Sequence, residues 1–163
     1  MIVAGIDGST KLTGIAIMED GELKYYTLID LHLEKDSMQR IRMMLLKIYD
    51  VLVRYDIDAV YMEKAFNNSN TKTTMMLANL AGGVMLYCAK NDIEFIHPEP
   101  SVWRAKIGLG QGRGVKRDVL KAEAIAAVKK EYGIDVNDDT AEAILIARSA
   151  FDLPKIEIKV DDL

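Results

Sequence analysis

The sequence predicts an α/β protein with one mixed five-stranded sheet and helices on both faces. Three observations lead there. "IVAGID" and "IDAVYME" are short, nearly unbroken apolar runs, the pattern of strands covered on both sides. "MEDGEL" carries Asp20-Gly21 at its centre and reads as a hairpin turn, which makes its flanking strands antiparallel. Apolar residues in the later segments recur at three-and-four spacing, which is helical.

The elements follow in order. Strands are predicted over Ile2–Asp7, Thr13–Met18 and Leu23–Leu31. Ser37 offers an N-cap for a helix to about Tyr55, with Met38, Ile41, Leu45, Ile48 and Leu52 on one face. The apolar run from Ile57 to about Glu63 is a central strand, and the polar "NNSNTKTT" after it is a loop. A second helix, about Thr73 to Asn91, contains Ala81-Gly82-Gly83. Glycine inside a helix costs about 1 kcal/mol relative to alanine, so the pair predicts close approach of another backbone, in the fold or in a dimer. "IEFIHP" is a fifth strand stopped by Pro98, and His97 at its end is assigned a structural place; His32 is given no role. A short helix near Ser101–Lys106, the loop "IGLGQGRGVK", a basic helix over Lys116–Glu131 and a last helix over about Asp139–Phe151 complete the chain. Residues 1–153 form one domain, and 154–163 are predicted to be a polar tail.

With 163 residues, 50% of them hydrophobic and 28% charged, the chain can bury a core of ordinary size. No apolar run approaches the ~20 residues of a membrane span, and no basic-then-apolar leader precedes Ile2. The one cysteine, Cys88, sits in the apolar "VMLYCAKN" and is predicted to be core, which suits a reducing cytoplasm. The net charge of −4 hides a division. Ser101–Lys130 holds eight Lys or Arg against two acids, while Glu131 onward holds nine acids against three bases. A basic segment beside an acidic one suits a protein that grips phosphates with one part and cations with the other. A solvated helix face is the plainer reading of the same charges.

Asp7 ends the first strand and Glu63 the fourth. If those strands are neighbours, both acids stand at one edge of the sheet. "NDDTAEAILIA" adds Glu142, which shares a helical face with Asp139, three residues before it, and with Asp138, four before it. Each acid has an ordinary reading on its own: a turn residue, an edge charge, a helix N-cap. Together they make a cluster of like charges that must protonate unless cations sit among it. Oxygen donors without His or Cys suit Mg²⁺ or Mn²⁺ rather than zinc. Two such ions about 4 Å apart serve the attacking and leaving oxygens of a phosphodiester.

The element order β-β-β-α-β-α-β-α-α is that of the ribonuclease H-like fold, and four segments resemble the RuvC family of Holliday junction resolvases. "GIDGSTKLTGIAI" is similar to the family's first motif, with Gly8 in place of its usual Pro. "YMEKAF" resembles the second, "GLGQGRGVK" the glycine-rich segment ending in Lys, and "DDTAEA" the last acidic motif, with Glu142 for the more usual Asp. The resemblance runs in order from residue 2 to about 150. It implies that Asp7, Glu63, Asp139 and Glu142 are the catalytic, metal-binding acids, holding two Mg²⁺ ions that Mn²⁺ can replace. It implies that Phe66 stacks on a base at the junction centre, and that Lys116, with Arg113 and Arg117, contacts phosphates. A homodimer is implied as well, since a four-way junction has two-fold symmetry and resolution needs paired cuts. Each subunit would cut a strand of four-way or other branched DNA, leaving a 5′-phosphate and a 3′-hydroxyl. The compact size and the departures at Gly8 and Glu142 suit a phage-encoded member, acting then in the host cytoplasm.

Other readings remain open at this point. "IDGST" would serve the first phosphate loop of an actin-like ATPase or sugar kinase, but those enclose the nucleotide between two such domains. The glycine loop lacks a Gly-Lys-Ser/Thr ending and is no P-loop, so no nucleotide cofactor is expected. A nuclease of the same fold acting on RNA or an RNA–DNA hybrid is one alternative. A non-catalytic module that binds junctions is another, disfavoured by the four retained acids.

Overall fold

The computed structural model describes residues 1–65, 71–110 and 114–158. Strands β1 (Ile2–Asp7), β2 (Leu12–Glu19), β3 (Glu22–Asp30), β4 (Ala59–Met62) and β5 (Glu94–Ile96) form one sheet in the order β3-β2-β1-β4-β5. β1 pairs antiparallel with β2, and β2 with β3; β4 runs parallel to both β1 and β5. The mixed sheet is therefore as predicted. Its hairpin turns on Asp20 and Gly21, both at positive φ (50° and 87°), as the two central residues of a type I′ turn require.

Five helices cover the two faces: α1 (Ser37–Leu52), α2 (Thr71–Lys90), α3 (Pro100–Ile107), α4 (Arg117–Tyr132) and α5 (Asp138–Arg148). The alternating faces of β1 and β2 feed two separate cores. Ile6, Ile15 and Ile17 pack with α1 and α2, whereas Ala16 and Met18 pack with α3, α4 and α5. Cys88 is fully buried in the first core, as expected.

Helix α5 lies closest to the sheet because two strand residues have no side chain. A Cβ on Gly5 would collide with the backbone of Ala143 and Ala147, and one on Gly14 with the backbone of Asp139. The glycine pair of α2 divides its work. A Cβ on Gly83 would strike the Leu45 side chain of α1, and the Tyr49 hydroxyl donates to the Gly83 carbonyl at 2.6 Å. Gly82 faces open space.

Several expectations need correction. The N-cap of α1 is Asp36, whose carboxylate accepts from the Gln39 amide at 2.7 Å; Ser37 is the first helical residue. Met38 is exposed, because the buried stripe runs through Arg40, Ile41, Met44, Ile48, Val51 and Leu52. Asn137 rather than an aspartate caps α5, accepting from the Thr140 amide. Residues 154–158 are no free tail: Ile156 is buried in the second core and its amide donates to the Ile107 carbonyl at 2.8 Å. His97 lies just past β5, its ring 5.5 Å from that of Phe95. Among the described residues no helix is long and apolar enough to cross a membrane.

Candidate active site

The parallel pairing of β1 and β4 puts Ile6 opposite Met62, and the Glu63 amide continues the ladder to the Ile6 carbonyl at 3.1 Å. Asp7 and Glu63 therefore leave the sheet side by side at one edge. Across β1, Asp7 pairs with Gly14, and the bare backbone of Gly14 receives Asp139 at the start of α5. One turn on, Glu142 shares that face of α5. All four acids line a single cavity of about 1210 Å³. The four carboxylates expected from the sequence are thus brought together by two strands and one helix.

Their electrostatics differ. The Asp7 carboxylate has no hydrogen bond or ion pair to a described residue, and its pKa is pushed well above the usual carboxylate range, first by burial and then by the charges of Glu142, Glu63 and Asp139. Glu63 is pushed up to about 7, mainly by burial, although its Oε2 accepts from the Trp103 indole N–H at 2.6 Å. Burial also raises Glu142, against the opposing charge of Arg104, whose guanidinium stands 3.4 Å from Glu142 Oε1. Asp139 is raised by burial and by Asp138. At Asp138 burial is outweighed by a close ion pair with Lys121, so its pKa is lowered. This separates the two adjacent aspartates: Asp138 is neutralised by α4, and Asp139 faces the cavity.

Trp103 and Arg104 were missed as site residues in the sequence, where Arg104 registered only as one of the basic charges. Both are buried. Arg104 ties four elements together: it donates to the Gly110 carbonyl at 2.7 Å, to the Leu120 carbonyl at 3.1 Å and to Glu123 at 2.7 Å, besides facing Glu142. Glu123 in turn accepts from the Gly110 amide at 3.0 Å. The entry to the glycine-rich loop is anchored by this knot. Of the residues expected to touch DNA, Arg117 lines the cavity at the first turn of α4, and Lys116 stands exposed at its N-cap. Phe66 and Arg113 lie outside the described residues.

Carboxylate oxygens alone, one of them buried without a counter-charge, are the donor chemistry of a hard divalent cation. As the side chains stand, no three His, Cys, Asp or Glu among the described residues form a group that could hold a metal ion. Glu63 and Glu142 each have one oxygen engaged, by Trp103 and Arg104, and the other without a described partner.

Comparison of the sequence with known proteins points to one family, and solved structures share its fold. The family model described as "Crossover junction endodeoxyribonuclease RuvC" matches residues 3–147. A crossover junction endodeoxyribonuclease RuvC of Caldicellulosiruptor saccharolyticus is 30% identical over 155 residues, covering 90% of each chain. Among solved structures, Thermus thermophilus RuvC in complex with a Holliday junction substrate superposes with a TM-score of 0.73 at 17% identity, over 91% of this chain and 92% of that one. Fowlpox virus resolvase in complex with Holliday junction DNA gives 0.61 at 15% identity, over 92% and 96%.

Proposed function

Because the chain belongs to the RuvC family of crossover junction endodeoxyribonucleases, we propose that it resolves four-way DNA junctions with Asp7, Glu63, Asp139 and Glu142 as its catalytic, metal-binding acids. The carrying observation is the convergence of these four side chains, from β1, the end of β4 and α5, on one cavity in which Asp7 has no described counter-charge.

Nucleases of this family are metal-dependent. The all-oxygen donor set favours Mg²⁺, with Mn²⁺ as a substitute, and four carboxylates are enough to share two ions. Such ions would supply an activated water and would neutralise charge developing on the phosphate. The chain's own residues do the rest. Glu63 and Glu142 offer their unengaged oxygens while Trp103 and Arg104 hold the opposite ones, so each carboxylate is oriented before an ion arrives. Arg117 holds a phosphate beside the acids, and Lys116 extends that basic edge. Phe66 and Arg113 are assigned to base stacking and phosphate binding by resemblance to the family's motifs. A homodimer presenting two such cavities matches the two-fold symmetry of the substrate, and the cuts leave 5′-phosphate and 3′-hydroxyl ends. A single buried, reduced cysteine suits a cytoplasmic protein.

Incubating labelled four-way junction with protein and Mg²⁺ tests the reading. Paired cuts near the crossover are expected, absent without the ion and absent in Asp7→Asn, which still binds the junction. Cleavage of linear RNA–DNA hybrid in preference to the junction would overturn the substrate assignment. Junction binding with no cleavage in Mg²⁺ or Mn²⁺ would overturn the enzymatic one.

A further inference from the structure

The acids are not the whole lining of the cavity. The Ser9–Lys11 turn, the connection from β3 to α1 and the first turns of α1 and α2 line it as well. Arg40 sits there. It is 8% exposed, it lines the cavity, and it forms no ion pair with a described residue. One guanidinium nitrogen donates to the Glu34 carbonyl at 2.8 Å, and the buried Nε has no partner among the described residues.

A guanidinium so buried is normally matched by a carboxylate. Asp30, Glu34 and Asp36, the acids on the segment leading into α1, form no ion pair with Arg40 and make other hydrogen bonds. Asp30 holds His32 at 2.6 Å, Glu34 accepts from the Asp36 amide at 2.8 Å, and Asp36 caps α1. The other charges on the wall are cations. Lys11, Lys35 and Lys72 line the same cavity, and none pairs with a described acid. The Leu31 amide donates to the Lys11 carbonyl at 2.7 Å, which fastens the Lys11 turn to the segment leading to Arg40. Arg40 thus brings to the cavity lining a positive charge with no ion pair to a described residue, and a guanidinium is a favoured ligand of phosphate.

We infer that Arg40, supported by Lys11 and Lys35, is a second phosphate-binding subsite, and that its ligand is a backbone phosphate of the bound DNA. The inference rests on the nucleic-acid reading of the cavity above. Arg40 belongs to α1 on one face of the sheet, and Arg117 belongs to α4 on the other. A strand laid across the acid edge therefore meets a cation from each face, and the phosphodiester between them is held over the carboxylates.

The salt dependence of binding reads this directly, since removing one cation that neutralises a phosphate lowers the log–log slope by about 1. Affinities for a fluorescent four-way junction and a linear duplex would be measured from about 50 to about 300 mM salt, a range over which such slopes are well developed, without divalent cations. The variants are Arg40→Gln, the exposed pair Lys11→Gln/Lys35→Gln, and Lys47→Gln on the solvent side of α1 as control. The expected result is a slope lower by about 1 in Arg40→Gln, lower than wild type in the double variant as well, and unchanged in Lys47→Gln. If Arg40→Gln does not fold, the exposed double variant decides alone. Wild-type slopes in both folded variants would overturn the subsite. Stabilisation of the wild type by inorganic phosphate, with slopes unchanged in the variants, would also overturn it, by showing a free-anion site. A wild type that binds duplex as well as junction would overturn the resolvase reading, whereas the Arg40 slope change would persist on either DNA.

Discussion

Glu63 is a residue whose ionisation the fold controls. Its pKa rises from 4.5 to about 7, mainly through burial. A carboxyl with a folded pKa above its unfolded value binds its proton more tightly in the native state. Stability is then highest below the unfolded value and falls as pH climbs from about 4.5 to about 7. The loss is on the order of 3 kcal/mol for this one group. Thermal melts of metal-free protein across that window are expected to show a falling midpoint, with a shallower fall in Glu63→Gln. Added Mg²⁺ should recover the wild type most at the upper end, where the acids are ionised. Parallel melting curves for the two proteins would dismiss Glu63 as the source. Asp7 works in the same direction, so the acid cluster is a cost to the empty protein that a cation removes.

At the scale of elements, the spacing of α5 from the sheet sets the spacing of the acids. Gly14 admits the Asp139 backbone where any side chain would exclude it. Gly14→Ala is therefore expected to push the N-terminal turn of α5 outward, destabilising by about 1–3 kcal/mol and lowering cleavage even at temperatures where circular dichroism shows the fold intact. Activity proportional to the folded fraction would refute that coupling. The element order, the mixed sheet with helices on both faces and the two apolar strands that each end on an acid were legible in the sequence, because apolar runs and helical spacing are local patterns; that β1 and β4 are neighbours was only a condition there. The supports of the site were not legible. Trp103 reaches Glu63 across 40 residues of chain, and Arg104 reaches Glu142 across 38. Neither pairing leaves a periodic trace. Met38 was misplaced for a related reason: spacing identifies a stripe but not its edge, and Arg40 took the buried place. Ile156 was lost in a polar context, since one apolar residue in a charged stretch has no period to belong to.

For the molecule as a whole, the two-fold symmetry of the substrate asks for a partner. Helix α2 leaves Met75, Gly82, Met85 and Leu86 facing away from the first core, with Met75, Met85 and Leu86 each more than half exposed. We expect this stripe to be the dimer interface: Gly83 seats α2 on α1, and the neighbouring Gly82 is left free for a second chain. Leu86→Lys combined with Gly82→Glu should yield a monomer by sedimentation that nicks one strand instead of making paired cuts. A variant that stays dimeric would move the interface elsewhere.

The dependence of the acid edge on α5 also bears on when the four acids come together during synthesis. Asp7 is synthesised well before α5, and it meets Asp139 and Glu142 only after that helix has docked against Gly5 and Gly14. At roughly 5–20 residues per second, the first strand exists for seconds before the acid cluster does. A fragment released before α5 carries strands and cations but lacks half of its carboxylates. If the four acids are the catalytic centre, as proposed above, such a fragment would lack a complete one.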